Sequence, residues 1–377
     1  MKKVKINLGL NSYQVLIGPG LLKESGQRLK EIGFSDRLVI ITNPIVQKLY
    51  GNSLKQALAK DSFKITILSV ADGEEQKSLG AAGRLYTELS EIYTERGTPI
   101  LALGGGVIGD LAGFVAATYF RGVPLVQIPT TLLAQVDSSI GGKVAVDHSQ
   151  LKNKIGAFYQ PRLVISDTST LKSLPQGEFA NGLAEVIKSA VIGDRDFFAF
   201  IEANLDKIKS LDKDVLETVV FRSARIKADV VAKDETDLDL RHVLNYGHTI
   251  GHAIETVSDF RLNHGQAISV GMLAAARISN KLGVLSNDEL VRLKSVISGA
   301  ALPTEIPDLD RKKILHAVGH DKKISGGKIE FVLPKSMGDV FITDQVSLSL
   351  VEQVLADSQN RHGKNRERPN NKQFQPN

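Results

Sequence analysis

Cysteine is absent from this chain of 377 residues. Disulfide bonds and thiolate metal sites are therefore excluded, so a metal ion would have to be held by His, Asp or Glu side chains. The absence of cysteine is also typical of cytoplasmic proteins, and a cytoplasmic location is expected.

Long apolar runs are absent as well. No run approaches the roughly 18 residues that a helix needs to cross a membrane, so no membrane partner is expected. The stretch Met1–Asn7 is basic, but it lacks the apolar centre and the small-residue cleavage site of a signal peptide. It is predicted to be the first β-strand.

The charge balance gives little support to nucleic-acid binding. The net charge is +5, but residues 357–377 hold five Lys or Arg and two acids, a net of +3. This tail is rich in Asn, Gln and Pro and is predicted to be disordered. The chain as a whole is 42% hydrophobic and 24% charged, which is typical of a globular protein, and its length allows two domains. Because most of the net positive charge lies in the tail, no nucleic-acid partner is expected.

The hydrophobic pattern changes near residue 174. Before it, short apolar runs alternate with helical periods, which predicts an α/β domain of Rossmann-like type with buried parallel strands over residues 1–174. After it, long helical stretches predict a mainly α-helical domain over 175–356, followed by the basic tail 357–377. The predicted strands are Val4–Leu8, Tyr13–Ile17, Leu38–Thr42, Ile65–Val70, Ile100–Leu103, Leu125–Ile128, Leu163–Ser166 and Ile329–Leu333; the predicted helices of the second domain cover 177–192, 194–210, 212–233, 241–258, 264–282 and 286–299.

A glycine-rich turn follows the predicted strand at Ile100. Gly104, Gly106 and Gly109 form a G-x-G-x-x-G pattern, which lets a phosphate approach the backbone at a helix N-terminus. The pattern does not lie in the first strand–helix unit, and a candidate ribose-binding acid, Asp72, lies upstream of it. The pattern favours dinucleotide or phosphate binding; the alternative is a tight turn without a ligand.

Hydroxyl groups and cations follow the next predicted strand. Thr130, Thr131 and Lys143 lie after it, and Lys152 follows closely. Because α/β folds bind ligands at the carboxyl ends of their strands, these side chains are typical of a site for an anionic, phosphorylated substrate. The alternative is a solvated basic loop.

Three of the eight histidines lie within seventeen residues. His248 and His252 are four residues apart and share one face of a predicted helix, and His264 follows. Imidazole is a common metal ligand, so the spacing favours a metal site that includes His248 and His252. Glu185 and Lys188 are isolated charges in an apolar helix, which makes Glu185 a candidate for a further ligand; the alternative is an ordinary surface ion pair.

These motifs, in this order, resemble the 3-dehydroquinate synthase family. The matching segments are GGGVIGDLAGFVAATYFRG at 104–122, IPTTLLAQVDSSIGGK at 128–143, LAEVIK at 183–188 and LNYGHTIGHAIE at 244–255, followed by His264-Gly265. The resemblance runs from about residue 4 to 355. It implies a zinc or cobalt ion held by Glu185, His248 and His264, and it places His252 beside the substrate phosphate as a proton-handling group rather than a ligand.

The resemblance also implies a reaction. The substrate would be 3-deoxy-D-arabino-heptulosonate 7-phosphate, which NAD oxidises transiently so that phosphate leaves by β-elimination. Reduction by NADH, ring opening and aldol closure then give 3-dehydroquinate. NAD would act as a catalytic cofactor with no net redox change, in the shikimate pathway of aromatic amino acid biosynthesis.

The resemblance further implies roles for individual residues in a homodimer, with Arg121 supplied by a second subunit. Substrate-contacting or catalytic residues would be Arg121, Asp137, Lys143, Lys152, Asn153, Lys188, Lys227, Arg241, Asn245 and His252, together with Lys322 or Lys323. NAD contacts would be Asp72, Glu74, Lys77, Gly105, Gly106, Val107, Gly109, Asp110, Thr130, Thr131, Lys143, Lys152, Thr170 and Lys172.

Three alternatives remain at this point. Another sugar-phosphate cyclase would use the same NAD and metal chemistry. Its substrate would lack the carboxylate that Arg241 and Asn245 would bind under the resemblance, so these two residues argue against it. A metal-dependent polyol dehydrogenase would need no phosphate-binding group such as Lys152. A nucleic-acid binder would depend on the basic tail.

Overall fold

A computed structural model describes residues 1–149, 151–259, 261–306, 308–324 and 329–364. The chain divides into two compact units, Met1–Leu244 and Asn245–Asn377. No helix among the described residues is long and apolar enough to cross a membrane.

The first unit contains a seven-stranded sheet in the described part of the chain. The strands, in chain order, are β1 (Lys2–Ile6), β2 (Tyr13–Gly18), β3 (Arg37–Thr42), β4 (Lys64–Ser69), β5 (Ile100–Gly104), β6 (Leu125–Pro129), β7 (Lys143–His148), β8 (Leu151–Phe158) and β9 (Leu163–Asp167). The sheet order is β1-β2-β9-β6-β5-β3-β4; β1 and β2 are antiparallel and the other pairs are parallel. Strands β7 and β8 form a separate antiparallel hairpin.

Both faces of the central parallel strands β3, β5, β6 and β9 are buried. In β3, Val39 and Ile41 belong to the hydrophobic core on one face, and Leu38 and Ile40 belong to the core on the other. Each of these four side chains is fully buried. A strand covered on both sides has no polar face, which is why the sequence shows a continuous apolar run there. The predicted α/β fold of the N-terminal part is confirmed.

Helices connect strands of the sheet in the first unit and form most of the described chain after residue 175. In chain order they are α1 (Ser25–Glu31), α2 (Pro44–Val46), α3 (Asn52–Lys60), α4 (Leu79–Glu91), α5 (Gly106–Thr118), α6 (Gln176–Gly193), α7 (Arg195–Lys209), α8 (Lys213–Lys233), α9 (His248–Val257), α10 (His264–Lys281), α11 (Asn287–Gly299), α12 (Arg311–Ile324) and α13 (Leu348–Lys364). Two further strands, β10 (Phe331–Ser336) and β11 (Asp339–Thr343), pair as a hairpin in the second unit.

The compact units do not divide where the secondary structure changes. The change from α/β to helix occurs at α6, close to the predicted boundary at residue 174, whereas the units divide between Leu244 and Asn245. Helix α8 packs against β1 and β2, so its apolar face is buried in the first unit. Helix type alone does not reveal which core a helix joins.

Two sequence predictions need correction. Residues 241–258, predicted as one helix, form a 3₁₀ turn (Leu240–Asn245) and α9, separated at Gly247, which has φ +80°. The predicted disordered tail is helical at its start, because α13 continues through Asp357 and Ser358 to Lys364. Ser358 is fully buried and accepts a hydrogen bond from Arg277, and Asp357 lies 3.0 Å from the ammonium of Lys281. These contacts hold the segment to the core; residues 365–377 lie outside the described residues.

Candidate active site

The glycine turn joins β5 to α5. A Cβ atom at Gly104 would lie 2.7 Å from the Cβ of Ile108, and one at Gly105 would lie 3.1 Å from the Cγ2 of Thr131. The amide of Thr130 donates to the carbonyl of Gly104 at 2.9 Å, which joins the ends of β5 and β6. The predicted strand–turn–helix arrangement is therefore present. Backbone N–H groups at the N-terminus of α5 suit a phosphate, and the absence of side chains leaves the backbone open to it.

Lys77 lies beside this turn and is almost fully buried. Its ammonium is 2.6 Å from a carboxylate oxygen of Asp110 on α5, and it also donates to the side-chain oxygen of Asn153. Burial by itself would lower the pKa of Lys77, but the charge of Asp110 and the hydrogen bond to it raise the pKa above its usual value. Lys77 therefore contacts both Asp110, which the resemblance assigns to NAD, and Asn153, which it assigns to the substrate.

Other predicted NAD contacts lie on the same side of the sheet, at its carboxyl edge. Asp72 is exposed and accepts a hydrogen bond from Asn43 at 2.6 Å, and Glu74 begins a short 3₁₀ helix. Lys172 is exposed. Thr170 is fully buried, and its hydroxyl donates to the backbone carbonyl of Asp167 at 2.8 Å, so this hydroxyl is used in a hydrogen bond within the protein.

Gln135 is a residue that the sequence reasoning missed. Its side-chain amide nitrogen donates to the carbonyls of Pro129 and Asp167 at 3.2 and 3.0 Å, and to the hydroxyl of Thr170 at 3.1 Å. It therefore ties the end of β6 to the end of β9. A lone Gln in the apolar run LLAQV of the quoted motif was the available signal, but only the packing shows that it is buried and what it holds.

Three buried charged side chains, Glu185, Lys188 and Lys227, form a cluster in the first unit with the partly exposed Asp137. The ammonium of Lys227 donates to the carboxylate of Asp137 at 2.6 Å and to its backbone carbonyl at 2.7 Å. Lys188 pairs with Glu185 and lies 4.0 Å from the Asp137 carboxylate. A surface ion pair was the alternative interpretation of Glu185 and Lys188 in the sequence. Both side chains are buried, so the pair does not lie on the surface.

Burial and pairing set the charges in this cluster. Burial would raise the pKa of Asp137, but the positive charges of Lys227 and Lys188 outweigh it and hold the pKa below its usual value. Burial, assisted by the charge of Lys188, lowers the pKa of Lys227 to about 8, although Asp137 acts in the opposite direction. The cluster therefore presents ammonium groups in a setting with little competing water, where hydrogen bonds to a ligand are strong.

Two cations that the resemblance counts among the substrate contacts, Arg241 and Lys143, have partners within the protein. Arg241 is buried, and its two terminal nitrogens donate to the carbonyls of Glu235 and Gly141 at 2.9 and 3.1 Å. Lys143 is exposed and pairs with the carboxylate of Asp237. Arg241 is thus bonded to backbone carbonyls, and Lys143 is paired with a carboxylate. Lys152 and Asn245 are exposed, and the side chains of Lys322 and Lys323 lie outside the described residues.

Three histidines of the second unit, His248, His252 and His264, lie close together. The ring centroids of His248 and His252 are 5.0 Å apart, and that of His264 lies 5.4 and 6.0 Å from them. The Nδ1 of His248 is 3.1 Å from the carbonyl of Tyr246, which favours the tautomer with the proton on Nδ1 and the lone pair on Nε2. The cluster predicted from the sequence is present, and its donor atoms suit zinc or cobalt.

Glu255 was not identified from the sequence. His252, Glu255 and His264 each offer a ligand atom, and these atoms lie within 4.8 Å of one another. The three-residue spacing from His252 to Glu255 on a helix is the signal that could have revealed it. The second unit thus holds a ligand set different from the pair His248 and His252 that spacing favoured.

Glycines bring α9 and α10 close enough to form this cluster. A Cβ atom at Gly251 would lie 2.7 Å from the Cδ1 of Ile268, and one at Gly247 would lie 2.6 Å from the Cγ of Met272. A Cβ at Gly271 would overlap the carbonyl oxygen of Gly247. His248 and His252 are on α9 and His264 begins α10, so the distance between these helices determines the distance between the imidazoles.

Comparison with known sequences identifies the family. The family models for the N-terminal and C-terminal parts of 3-dehydroquinate synthase match residues 67–181 and 182–324. A 3-dehydroquinate synthase from Dehalococcoides mccartyi is 49% identical over 355 residues, which cover 94% of this chain and 99% of the relative. The chain belongs to the 3-dehydroquinate synthase family.

Solved structures similar to this member of the 3-dehydroquinate synthase family include two other cyclising enzymes. One is a 2-epi-5-epi-valiolone synthase from Streptomyces hygroscopicus with NAD⁺ and Zn²⁺ bound (TM-score 0.86, 26% identity, 93% of this chain and 97% of that chain covered). Another is a 2-deoxy-scyllo-inosose synthase complexed with carbaglucose-6-phosphate, NAD⁺ and Co²⁺ (TM-score 0.84, 27% identity, 95% and 100% covered). The predicted family and fold class are confirmed.

We predict that Gly271→Ala disturbs the histidine cluster of this 3-dehydroquinate synthase family member. The added methyl group must push α9 away from α10, so the free energy of unfolding in urea should fall by about 2 kcal/mol, within the range for overpacked cores. The metal content after dialysis should fall as well. Gly319→Ala on α12 is the matched control, because a Cβ there meets nothing within 4 Å; it should leave stability unchanged or slightly increased. Equal stability of the two variants would contradict the packing argument.

Proposed function

We propose that this chain is a 3-dehydroquinate synthase, which converts 3-deoxy-D-arabino-heptulosonate 7-phosphate to 3-dehydroquinate and phosphate in the shikimate pathway. The observation that carries this proposal is the 49% identity over almost the whole length of both chains. The buried ammonium cluster at Asp137 and the histidine cluster on α9 and α10 support it, because both fit a polyhydroxylated, phosphorylated substrate. A cytoplasmic location, expected from the sequence, stays a prediction.

NAD and a divalent zinc or cobalt ion are the cofactors under this proposal. When bound, NAD supplies reversible hydride acceptance, and the cation supplies polarisation of substrate hydroxyl oxygens. The glycine turn at Gly105 and Gly106 offers backbone N–H groups for the pyrophosphate, since a Cβ at either position would fill space beside Thr131 or Ser138. Asp72 and Glu74 are exposed carboxylates suited to ribose hydroxyls. The remaining NAD contacts named from the resemblance stay predictions.

We propose Glu185, His248 and His264 as the metal ligands. Two imidazoles and one carboxylate form a donor set that suits zinc and leaves positions for substrate oxygens. The contact between His248 and the carbonyl of Tyr246 supports the choice of His248, because an imidazole held at one nitrogen presents the other to a metal. His252 is exposed, which supports a role towards the substrate phosphate rather than in the metal shell.

The lysine cluster orients the substrate hydroxyl groups in this proposal. Lys227 is held from two sides by Asp137, so the direction of its remaining N–H bonds is restricted. With a pKa of about 8 it is mostly protonated at neutral pH and donates to an alkoxide or hydroxyl oxygen. Lys188, held by Glu185, approaches the same carboxylate of Asp137 and provides a second ammonium group.

Another sugar-phosphate cyclase is the second candidate. The similar solved structures include a 2-epi-5-epi-valiolone synthase and a 2-deoxy-scyllo-inosose synthase, and the TM-scores of these two exceed 0.8. Their identities of 26% and 27% are far below the 49% shared with 3-dehydroquinate synthase, which makes the latter the better-supported activity. The glycerol dehydrogenase structure at 17% identity shows a shared fold alone.

The deciding experiment measures phosphate release from 3-deoxy-D-arabino-heptulosonate 7-phosphate with NAD far below the substrate concentration and Zn²⁺ or Co²⁺ added. Several phosphates released per NAD, with no net absorbance from NADH, is the expected outcome, because the hydride returns to the substrate. Accumulating NADH would indicate a plain dehydrogenase. No phosphate from folded protein loaded with metal and NAD would favour a different sugar phosphate.

The metal assignment predicts a contrast between two variants. Glu185→Gln should lose most of its zinc after dialysis, because it removes the anionic ligand, whereas His252→Ala should keep the metal and lose elimination activity by about 10²-fold. Metal analysis of the dialysed proteins, with His316→Ala on α12 as a control, distinguishes the two. Loss of metal from His252→Ala with retention by Glu185→Gln would favour the set His252, Glu255 and His264 instead.

We further propose that the enzyme is a homodimer in which Arg121 serves the second subunit. Phe120 is half exposed, with its ring packed edge-on to Tyr119 at 4.8 Å. Phe120 and Arg121 both have left-handed backbones, with φ +51° and +60°. Strain of this kind at two consecutive non-glycine residues costs about 1–3 kcal/mol each and is typical of functional segments. A partner subunit that covers Phe120 would compensate for it.

Phe120→Asp should therefore shift the protein from dimer to monomer in sedimentation velocity, because it places a charge in an apolar contact. Tyr93→Asp is the matched control, since Tyr93 is also an exposed aromatic residue with a left-handed backbone in the same unit. A native protein that sediments as a monomer, or dimers that survive Phe120→Asp unchanged, would contradict the proposed interface.

A further inference from the structure

The hairpin that carries Lys152 and Asn153 contains a large irregularity. Val146 pairs with Ile155 and His148 pairs with Leu151, so a single residue of β7, Asp147, faces the three residues 152–154 of β8. A bulge bends a strand and redirects its side chains, and bulges are frequent beside active sites. Lys152 and Asn153 lie within this bulge; the resemblance counts both among the substrate contacts, and we take the substrate phosphate as the group they bind.

Asp147 holds the bulge in its observed shape. One of its carboxylate oxygens accepts a hydrogen bond from the backbone N–H of Asn153 at 2.8 Å. Asn153 has φ +57°, a left-handed conformation that Asn tolerates better than most residues but that still needs support. The carboxylate provides that support, since it satisfies the N–H that the disrupted strand ladder leaves without its regular partner.

The bulge is also fixed to the cofactor side of the unit. The backbone N–H of Asp147 donates to the carbonyl of Lys77 at 2.7 Å, and Ser78 forms a parallel bridge with Asp147. The ammonium of Lys77 in turn binds the side-chain oxygen of Asn153 and lies 2.6 Å from Asp110. Asn153 is thus held at its backbone by Asp147 and at its side chain by Lys77.

We propose that Asp147 is a positioning residue that sets the phosphate-binding geometry of Asn153 and couples it to the NAD-binding segment at Lys77. The proposal rests on the proposed function for the identity of the ligand. Asp147 acts through Asn153 rather than on the substrate. One of its carboxylate oxygens already accepts a hydrogen bond from the backbone N–H of Asn153, and a negatively charged carboxylate would repel a phosphate. Lys77 carries the coupling because its backbone and its side chain both contact the hairpin.

The test is a double-mutant cycle with Asp147→Ala, Asn153→Ala and the double variant, and His148→Ala as the control. His148 is the exposed neighbour of Asp147 and is assigned to no site. Asp147→Ala should raise the KM for the phosphorylated substrate about tenfold, as expected for the loss of a charge-assisted contact, with a smaller change in kcat and in NAD affinity. If Asp147 acts through Asn153, the double variant should resemble Asn153→Ala alone. Multiplying effects, or an unchanged KM, would overturn the proposal.

A second readout does not depend on turnover. Amide hydrogen exchange of Asn153 should be faster in Asp147→Ala than in the native chain and in His148→Ala, because the acceptor for that N–H is lost. Equal exchange rates in all three proteins would overturn the proposal even if KM changes. If the native protein releases no phosphate, the proposed function fails, and the cycle is then measured on the affinity for inorganic phosphate. Equal affinities of the native protein and Asp147→Ala for inorganic phosphate would contradict the positioning role of Asp147.

Discussion

The buried ionic cluster at Asp137 is the constraint on which the first unit depends. Removing an ammonium group and a carboxylate from water costs several kcal/mol for each ion, and the cost is offset only if each charge has close partners. Lys227 meets this condition with two contacts to Asp137, and Lys188 meets it with Glu185. Replacing a buried ion pair by apolar side chains of similar volume is often neutral or stabilising, so folding alone does not explain these charges.

The parallel sheet explains how distant parts of the chain come to serve one region. Strands β5, β6 and β9 lie side by side, so the segments that follow them emerge at the same edge. The glycine turn, the Thr130–Lys143 segment and Thr170 follow these strands in that order. Gln135 joins two of the strand ends by hydrogen bonds. The side chains at this edge are therefore held by backbone that the sheet has already ordered.

The second unit uses a different device, the close crossing of two helices. Gly247, Gly251 and Gly271 leave no side chain at the contact, so α9 and α10 approach closely and bring the histidines together. Close packing also explains the break before α9. The φ of +80° at Gly247 ends the preceding 3₁₀ turn and redirects the chain, which a hydrophobic pattern over 241–258 does not reveal because both segments bury apolar residues.

The strands of the sheet were predictable because burial on both faces leaves a continuous apolar run, as in β3 and β5. The hairpin of β7 and β8 was not, because Lys152, Asn153 and Lys154 are exposed and the strand lacks an apolar face of its own. The same exposure is the reason that a solvated basic loop was the alternative for the segment at Lys152. Helix α13 continues past residue 356 into the tail that was predicted to be disordered, and there the buried Ser358 accepts a hydrogen bond from Arg277.

The sequence by itself determined the α/β class, the helical second part, the clustering of histidines and the family, since these follow from local periodicity and from residue types in a fixed order. Only the tertiary structure decided that Glu185 and Lys188 are buried, that Glu255 faces the histidines and that Asp147 holds Asn153. These relations join residues through packing and hydrogen bonds, and the energy of such contacts depends on distances that a linear order does not contain.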